Sequence, residues 1–489
     1  MELSRLGRAV PVAVIAAGAS ALLSVGCGAS SSSSSNASRT PPRVLRAPTI
    51  VGVMQAGQRV SAVAGSWSPA PASYGYAWRR CDATGKRCQQ ISGASASTYT
   101  LGGRDIGATL RVSVIASNRA GASPPALSAR TEVVTRAAGT LHLEYVFNDG
   151  PVSVFDIDHG FKLVESFTLA GTKRGVRGVA VSPGTHMMFV SYGGDGGGNG
   201  NGSVLAYDLV RKAIVWSVDL KTGVDSGAVS TDGKLLYMPD GELSSDGNWY
   251  ILDTANGDVV GKIETAGEGP HDAVMSADGK ILQLGDRNYS RLPIYDTQTG
   301  KLLGQSGRLV GGVRPNTIDG SDSISFTTAT GFDGFQVSSI TRPGYPVLFT
   351  QKFANCSGPF STCSHGISLS PDSRLLAVID TVHKAVQMWD VHGVAQGVAP
   401  THLATVPVDG LEGDEKGCAY DCGRDGWLQH SLDGRYVFAG DTGDVIQTST
   451  YTVVARIGSL LNTRKFLEID WSKGLPVASS SRQGVGQAR

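Results

Sequence analysis

The sequence predicts an all-β protein, a small N-terminal β-sandwich followed by a seven-bladed β-propeller. Three observations predict it. Glycine supplies 64 of 489 residues and charged residues only 17%; that composition suits short strands and tight turns and is poor for coiled coils or helical bundles. Apolar residues alternate along short segments between residues 43 and 135, the period of half-buried strands. From residue 140 onward a unit with turn signals recurs every ~40–50 residues, the period of four-stranded propeller blades. An apolar content of 41% is enough to build a core. The 43 Lys+Arg and 42 Asp+Glu leave a net charge of +1, so no electrostatic footprint for nucleic acid is present.

Residues 1–26 read as an export signal. Arg5 and Arg8 give the positive start, Ala9 to Leu23 is an apolar run, and small residues lead to Cys27. Gly26-Cys27 resembles the bacterial lipobox, which implies lipidation of Cys27 and a membrane partner through that anchor. The alternative is a signal-anchor helix; either way the body of the protein lies outside the membrane. Residues 27–42, with the serine run Ser30–Ser35 and Pro41-Pro42, form a tether with nothing to bury. The expected location is the outer face of the cytoplasmic membrane or the cell envelope.

An oxidising compartment makes disulfides the natural reading of the remaining six cysteines. Cys81 with Cys88 and Cys356 with Cys363 are local pairs. Cys418 and Cys422 either pair together or cross-pair with Cys356 or Cys363. A zinc site from the last four is the rival, but its spacings fit zinc modules poorly.

Between 43 and 135, segments such as Arg59–Val63, Tyr74–Trp78 and Leu110–Ile115 alternate apolar and polar residues, with turns between them. This is a sandwich of about seven strands, with Trp67 and Trp78 as core aromatics. Gly65-Ser-Trp67, Tyr76-Ala-Trp-Arg-Arg-Cys81 and Asp105-Ile-Gly-Ala-Thr-Leu-Arg-Val112 resemble Ig-like repeats of exported bacterial surface proteins. The resemblance implies a spacer or adhesion module. No cysteine lies late enough to bridge the two sheets, so Cys81–Cys88 is expected to staple one hairpin.

From 140 to 475 two elements recur. One is a serine turn: Ser182-Pro-Gly184, Ser230-Thr-Asp-Gly233, Ser276-Ala-Asp-Gly279, Ser370-Pro-Asp372 and Ser431-Leu-Asp-Gly434, with a weaker copy at Asp319-Gly320. The other is a strand ending in Asp before a glycine turn, as at Asp253 and Asp296. Asp and Gly make such turns because they tolerate positive φ. The expected blades are 140–171, 172–222, 223–266, 267–310, 311–352, 353–408 and 409–460; the fifth is degenerate, so six or eight blades are the alternative counts. The first lacks an inner strand, which Arg464–Trp471 would supply; this removes an open sheet edge. Residues 476–489 are expected to be a flexible tail. Gly267-Glu-Gly-Pro-His-Asp-Ala-Val-Met-Ser-Ala-Asp-Gly-Lys280, His365-Gly-Ile-Ser-Leu-Ser-Pro-Asp372 and the Asp-Thr-x-x-Gly turns resemble the bacterial YncE-like (YVTN-repeat) propellers, a group that includes binding proteins and enzymes.

Counting back five residues from each repeat serine gives Arg177, Asp225, His271, His365 and Gly426, with Arg314 or Asn316 in the weak blade. These, with Asp425, Trp427 and His430, are the candidates for a shared channel mouth. His271, His365 and His430 form a possible copper or zinc set; Arg177 and Arg314 with the histidines form a possible anion site. No other cofactor is expected. The glycine loop 193–202 reads as a floppy insertion, with calcium as the rival, and the acidic stretch Asp409–Glu415 as a lid or a solvated loop. The linear signatures of α/β-hydrolases, zinc proteases and nucleotide-binding loops are absent. The expected function is a monomeric ligand- or protein-binding module at the envelope. The alternatives are a metal-dependent oxidoreductase or lactonase-like hydrolase at the channel, and an adhesion protein acting through the Ig-like domain.

Lipidation of Cys27 has a direct readout. Cys27→Ala should move the chain from the membrane fraction to the soluble fraction and change its electrophoretic mobility.

Overall fold

The computed structural model describes residues 40–481 except 92, 136–138, 357–362 and 418–422. The leader, Cys27, most of the tether, Cys418 and Cys422 therefore lie outside the described residues. Every regular element among those described is a strand or a short 3-10 turn. Among them, no helix is long and apolar enough to cross a membrane.

The N-terminal region folds as small antiparallel sheets. The largest pairs Ser73–Cys81 with Thr109–Asn118 in register from Ser73↔Ser117 to Cys81↔Thr109. A three-stranded sheet of Thr49–Val51, Arg59–Val63 and Thr98–Thr100 packs against it. Trp78 is fully buried and donates its indole N–H to the Ala96 carbonyl; Trp67 does the same to Ala64. Buried indoles need such partners. The Cys81–Cys88 disulfide staples one hairpin, and Cys356–Cys363 closes a local loop in the propeller. Both are bonds of an extracytoplasmic protein.

Seven antiparallel sheets follow. Blades two to seven are four-stranded and span 176–219, 228–264, 270–305, 313–352, 367–407 and 427–456. The repeat turns form for the reason their residues imply. In blade three Ser230 Oγ donates to Asp232, Leu235 N–H donates back to Ser230 Oγ at 3.0 Å, and Gly233 closes the turn at φ +72°. Ser276, Ser370 and Ser431 repeat the arrangement. In the weak blade Asp319 takes the serine's place, accepting from Ile324 N–H at 2.7 Å. Where strands end in Asp, as at Asp253 and Asp296, the carboxylate accepts the backbone N–H two or three residues on.

Blade one comes from both ends of the propeller sequence. Thr140–Phe147, Pro151–Asp156 and Lys162–Thr168 are joined by Phe466–Ser472, which pairs along the whole of Thr140–Phe147 from Thr140↔Ser472 to Val146↔Phe466. The expected tail is a correction. Leu475–Ser479 continues the sheet as a fifth strand, because Gln429 Nε2 donates to Ser480 Oγ and Ser481 O, both at 2.6 Å, and holds the segment against the inner strands. Residues 482–489 lie outside the described residues.

Alternate residues of the closing strand bury on opposite sides. Leu467 and Ile469 pack toward blade two, and Phe466 toward blade seven with Trp427 and Phe438. Leu467→Ala removes a fully buried side chain from the strand that closes the ring. It should cost about 2–5 kcal/mol, measured as a lowered urea midpoint with a single cooperative transition retained.

Candidate functional site

The inner strands bring most of the predicted mouth residues together, and a recurring backbone irregularity aims them. Register slips between Val176 and Gly178, between Pro270 and Asp272, and between Val313 and Asn316. Arg177, His271 and Arg314 each sit at such a bulge. A bulge leaves one residue out of the ladder and redirects its side chain.

Their shared target is Glu242, from the loop after Leu235–Pro239 of blade three. Its carboxylate accepts from Arg314 Nη1 at 2.8 Å and Arg177 Nη2 at 3.3 Å. Arg287 Nη1 lies 3.1 Å away and His271 Nε2 3.9 Å. Burial acts to raise the Glu242 carboxyl, but Arg314, His271, Arg177 and Arg287 outweigh it and hold the group well below the usual carboxylate range. Arg177 also reaches Asp195 at 3.1 Å and Asp225 at 3.2 Å.

Asp195 comes from the glycine loop, which is a correction to the floppy reading. The loop folds into the mouth, with Asp195 buried. It can do so because a Cβ on Gly194 would fall 2.2 Å from the Gly200 carbonyl oxygen, and one on Gly241 would fall 2.1 Å from that of Asp195. The excess of glycine there is a requirement of close backbone approach.

A second half of the mouth is organised by Arg464, just before the closing strand. It bonds Asp425 at 2.7 Å and Glu415 at 3.1 Å, and lies 3.8 Å from Asp441. Glu415 belongs to the acidic stretch, so that stretch is anchored at its end. Asp425 also faces His365 Nδ1 at 2.9 Å. Burial lowers the His365 pKa more than Asp425 raises it, leaving the ring neutral at neutral pH. The His365 ring stands edge-on to Trp427 at 5.3 Å and to His271 at 5.8 Å, joining the two halves.

Three expectations are corrected. His430 is not part of this cluster. It lies three residues along the strand from Trp427, about 10 Å at strand rise and on the other face, where its Nδ1 bonds Ser368 Oγ at 2.9 Å. The three-histidine metal set therefore does not assemble. Asn316 turns to Gln283 instead of the mouth, and Gly426 contributes only its N–H, to Asp441. The anion reading is also displaced, since the protein's own carboxylates already occupy Arg177 and Arg314. Asp225, Glu242 and His271 lie within ligand distance of one another, yet the guanidinium groups around Glu242 disfavour a further cation there. The mouth is a buried, internally neutralised network. Counting from the repeat serines missed Asp195, Glu242, Arg287, Glu415 and Arg464, because they lie in loops outside that register.

A separate cavity of about 660 Å³ opens between the sandwich and blades five and six. Arg80, Gln90, Tyr99 and Arg104 line it from one side, and Asp372 and His392 from the other. Arg80 Nε bonds Asp105 at 2.8 Å, and Tyr99 donates its hydroxyl to the same carboxylate at 3.0 Å. Burial would raise the Asp372 carboxyl, but Arg104 and Ser370, with Arg80, bring it below the usual range. Charge thus links the two modules across the cleft.

No family model matches the chain, and no curated protein matches it. Among solved structures it is similar to Kuenenia stuttgartiensis hydrazine synthase, at 16% identity and a TM-score of 0.48, over 69% of this chain and 92% of that one.

The mouth network makes a stability prediction. Glu242→Gln leaves the surrounding guanidinium groups unbalanced and should cost about 3–5 kcal/mol, whereas Glu268→Gln, on an exposed loop, should be nearly neutral. The Glu242 pKa is depressed by folding. Its contribution is therefore complete above about pH 5 and lost as the pH falls through the folded value. Urea midpoints measured across pH should show a shallower acid limb in Glu242→Gln.

Proposed function

We propose that this chain is an extracytoplasmic binding protein, held to the membrane through Cys27, that takes a neutral saccharide in the cleft between its sandwich and its YncE-like propeller. The observation that carries this reading is the 660 Å³ inter-module cavity, a volume in the range of small-molecule sites, which favour domain interfaces. Its chemistry supports the ligand class. Gln89 and Gln90 offer amide donors and acceptors, Tyr99 offers aromatic surface, and the acids Asp105, Asp319 and Asp372 balance Arg80, Arg104 and Arg374. Balanced charge favours a ligand with hydroxyls over one with net charge. The sandwich is then half of the site as well as a spacer.

A second reading rests on one observation. Asp425 orients a neutral His365, the arrangement of a general base, which supports a hydrolase at the channel mouth. Burial of that histidine behind an ion-paired network ranks this reading second.

Titration calorimetry of the full chain with neutral oligosaccharides of the cell envelope tests the first reading. Binding is expected, and Arg104→Ala should weaken it at least about tenfold, ~1.4 kcal/mol. No heat with any oligosaccharide, or equal affinity in Arg104→Ala, would overturn it.

A further inference from the structure

The seam where the ring closes holds a set of acidic groups that neither the mouth nor the cleft uses. Register places Glu144 opposite Glu468 and His142 opposite Asp470 across the two central strands of blade one. Side chains alternate faces along a strand. Tyr145, Leu467 and Ile469 pack toward blade two, so His142, Glu144, Glu468 and Asp470 share the face of Val146 and Phe466, which is turned to blade seven. All four are buried, Glu144 completely. His142 Nδ1 lies 2.8 Å from Asp470 Oδ1 and 3.7 Å from Glu468 Oε1. Blade seven reaches in through Leu432, whose N–H donates to Glu468 Oε2 at 2.5 Å.

Positive charge is what this cluster needs. Neither oxygen of Glu144 has a hydrogen-bond partner among the described residues, although the group is fully buried beside Glu468. The strongest charges acting on Glu468 are Asp470 and Asp433, both negative, with His142 opposing them by a hydrogen bond. Buried carboxylates so placed must take up protons or a cation.

The geometry favours a cation. His142 Nδ1, Glu468 and Asp470 offer ligand atoms within 4.8 Å of one another. Tetrahedral bonds of 2.0–2.1 Å put ligand atoms about 3.4 Å apart, between the 2.8 and 3.7 Å found here. One imidazole with carboxylates suits zinc or a similar transition metal; an all-oxygen set would suit calcium.

We propose that the seam between blades one and seven is a divalent transition-metal site formed by His142, Glu468 and Asp470 with Glu144 beside them, and that the bound ion fastens the closing strand. It is independent of the saccharide cleft and of the channel mouth.

The full chain, stripped with chelator and desalted, should retain one equivalent of added zinc by atomic absorption. Its melting temperature should rise by at least about 3 °C. The Glu144→Gln/Glu468→Gln variant should melt higher than wild type without zinc near pH 7.5, because no buried carboxyl then has to be held protonated or left charged, and should lose both zinc retention and the zinc-induced rise. His142→Gln carries the same expectation for zinc should the double variant fail to fold. His365→Gln, at the mouth, should keep the full zinc response. No retained zinc and no rise in the wild type would overturn the site, as would an undiminished response in the seam variants.

Discussion

The pairing of Phe466–Ser472 with Thr140–Phe147 is the constraint on which the rest of the propeller depends. Each blade buries its faces against two neighbours, so an open ring would leave two sheet faces uncovered and one edge unpaired. The same strand distributes chemistry in two directions. Arg464, immediately before it, crosses into the channel mouth and collects Asp425 and Glu415. Glu468 and Asp470, within it, face the last blade at the seam. Both polar clusters exist only when the two ends of the propeller sequence have met.

The mouth shows how a near-neutral protein can hold strong local charge. Arginines from three blades converge on one glutamate, and the bulges that aim two of them recur at equivalent places. Removing one member of such a buried set exposes the others to an uncompensated field, so its members are strongly interdependent. The cleft between the modules is built more loosely. Its charges also balance, but they line an open volume where side-chain amides and aromatic surface remain accessible.

The architecture was legible because its turns are chemically distinctive. Serine turns and Asp-ended strands repeat at a readable period, and both make their hydrogen bonds where the residue types imply. Arg177, Asp225, His271, Arg314 and His365 were legible from the repeat alignment, with Asp425 and Trp427 as sequence neighbours of its last position, because equivalent positions of stacked blades point to one channel. The partners of these residues were not legible. Glu242, Asp195 and Arg464 lie in connections whose length varies from blade to blade, so no register identifies them. His430 was misplaced because strand alternation sends it to the opposite face from Trp427. The seam was hidden for another reason: Glu144 and Glu468 are 324 positions apart in sequence, and only the register of the closing strand sets them side by side.

That same order of strands governs how the molecule is made. A chain synthesised from its N-terminus releases three strands of blade one first and the strand that completes them last. In the interval the edge of Thr140–Phe147 is an unpaired template, able to accept a strand from any other chain nearby. Six complete blades must form or wait while that edge stands open. The most vulnerable interval in the folding of this protein is therefore the one before Phe466–Ser472 has docked on that edge.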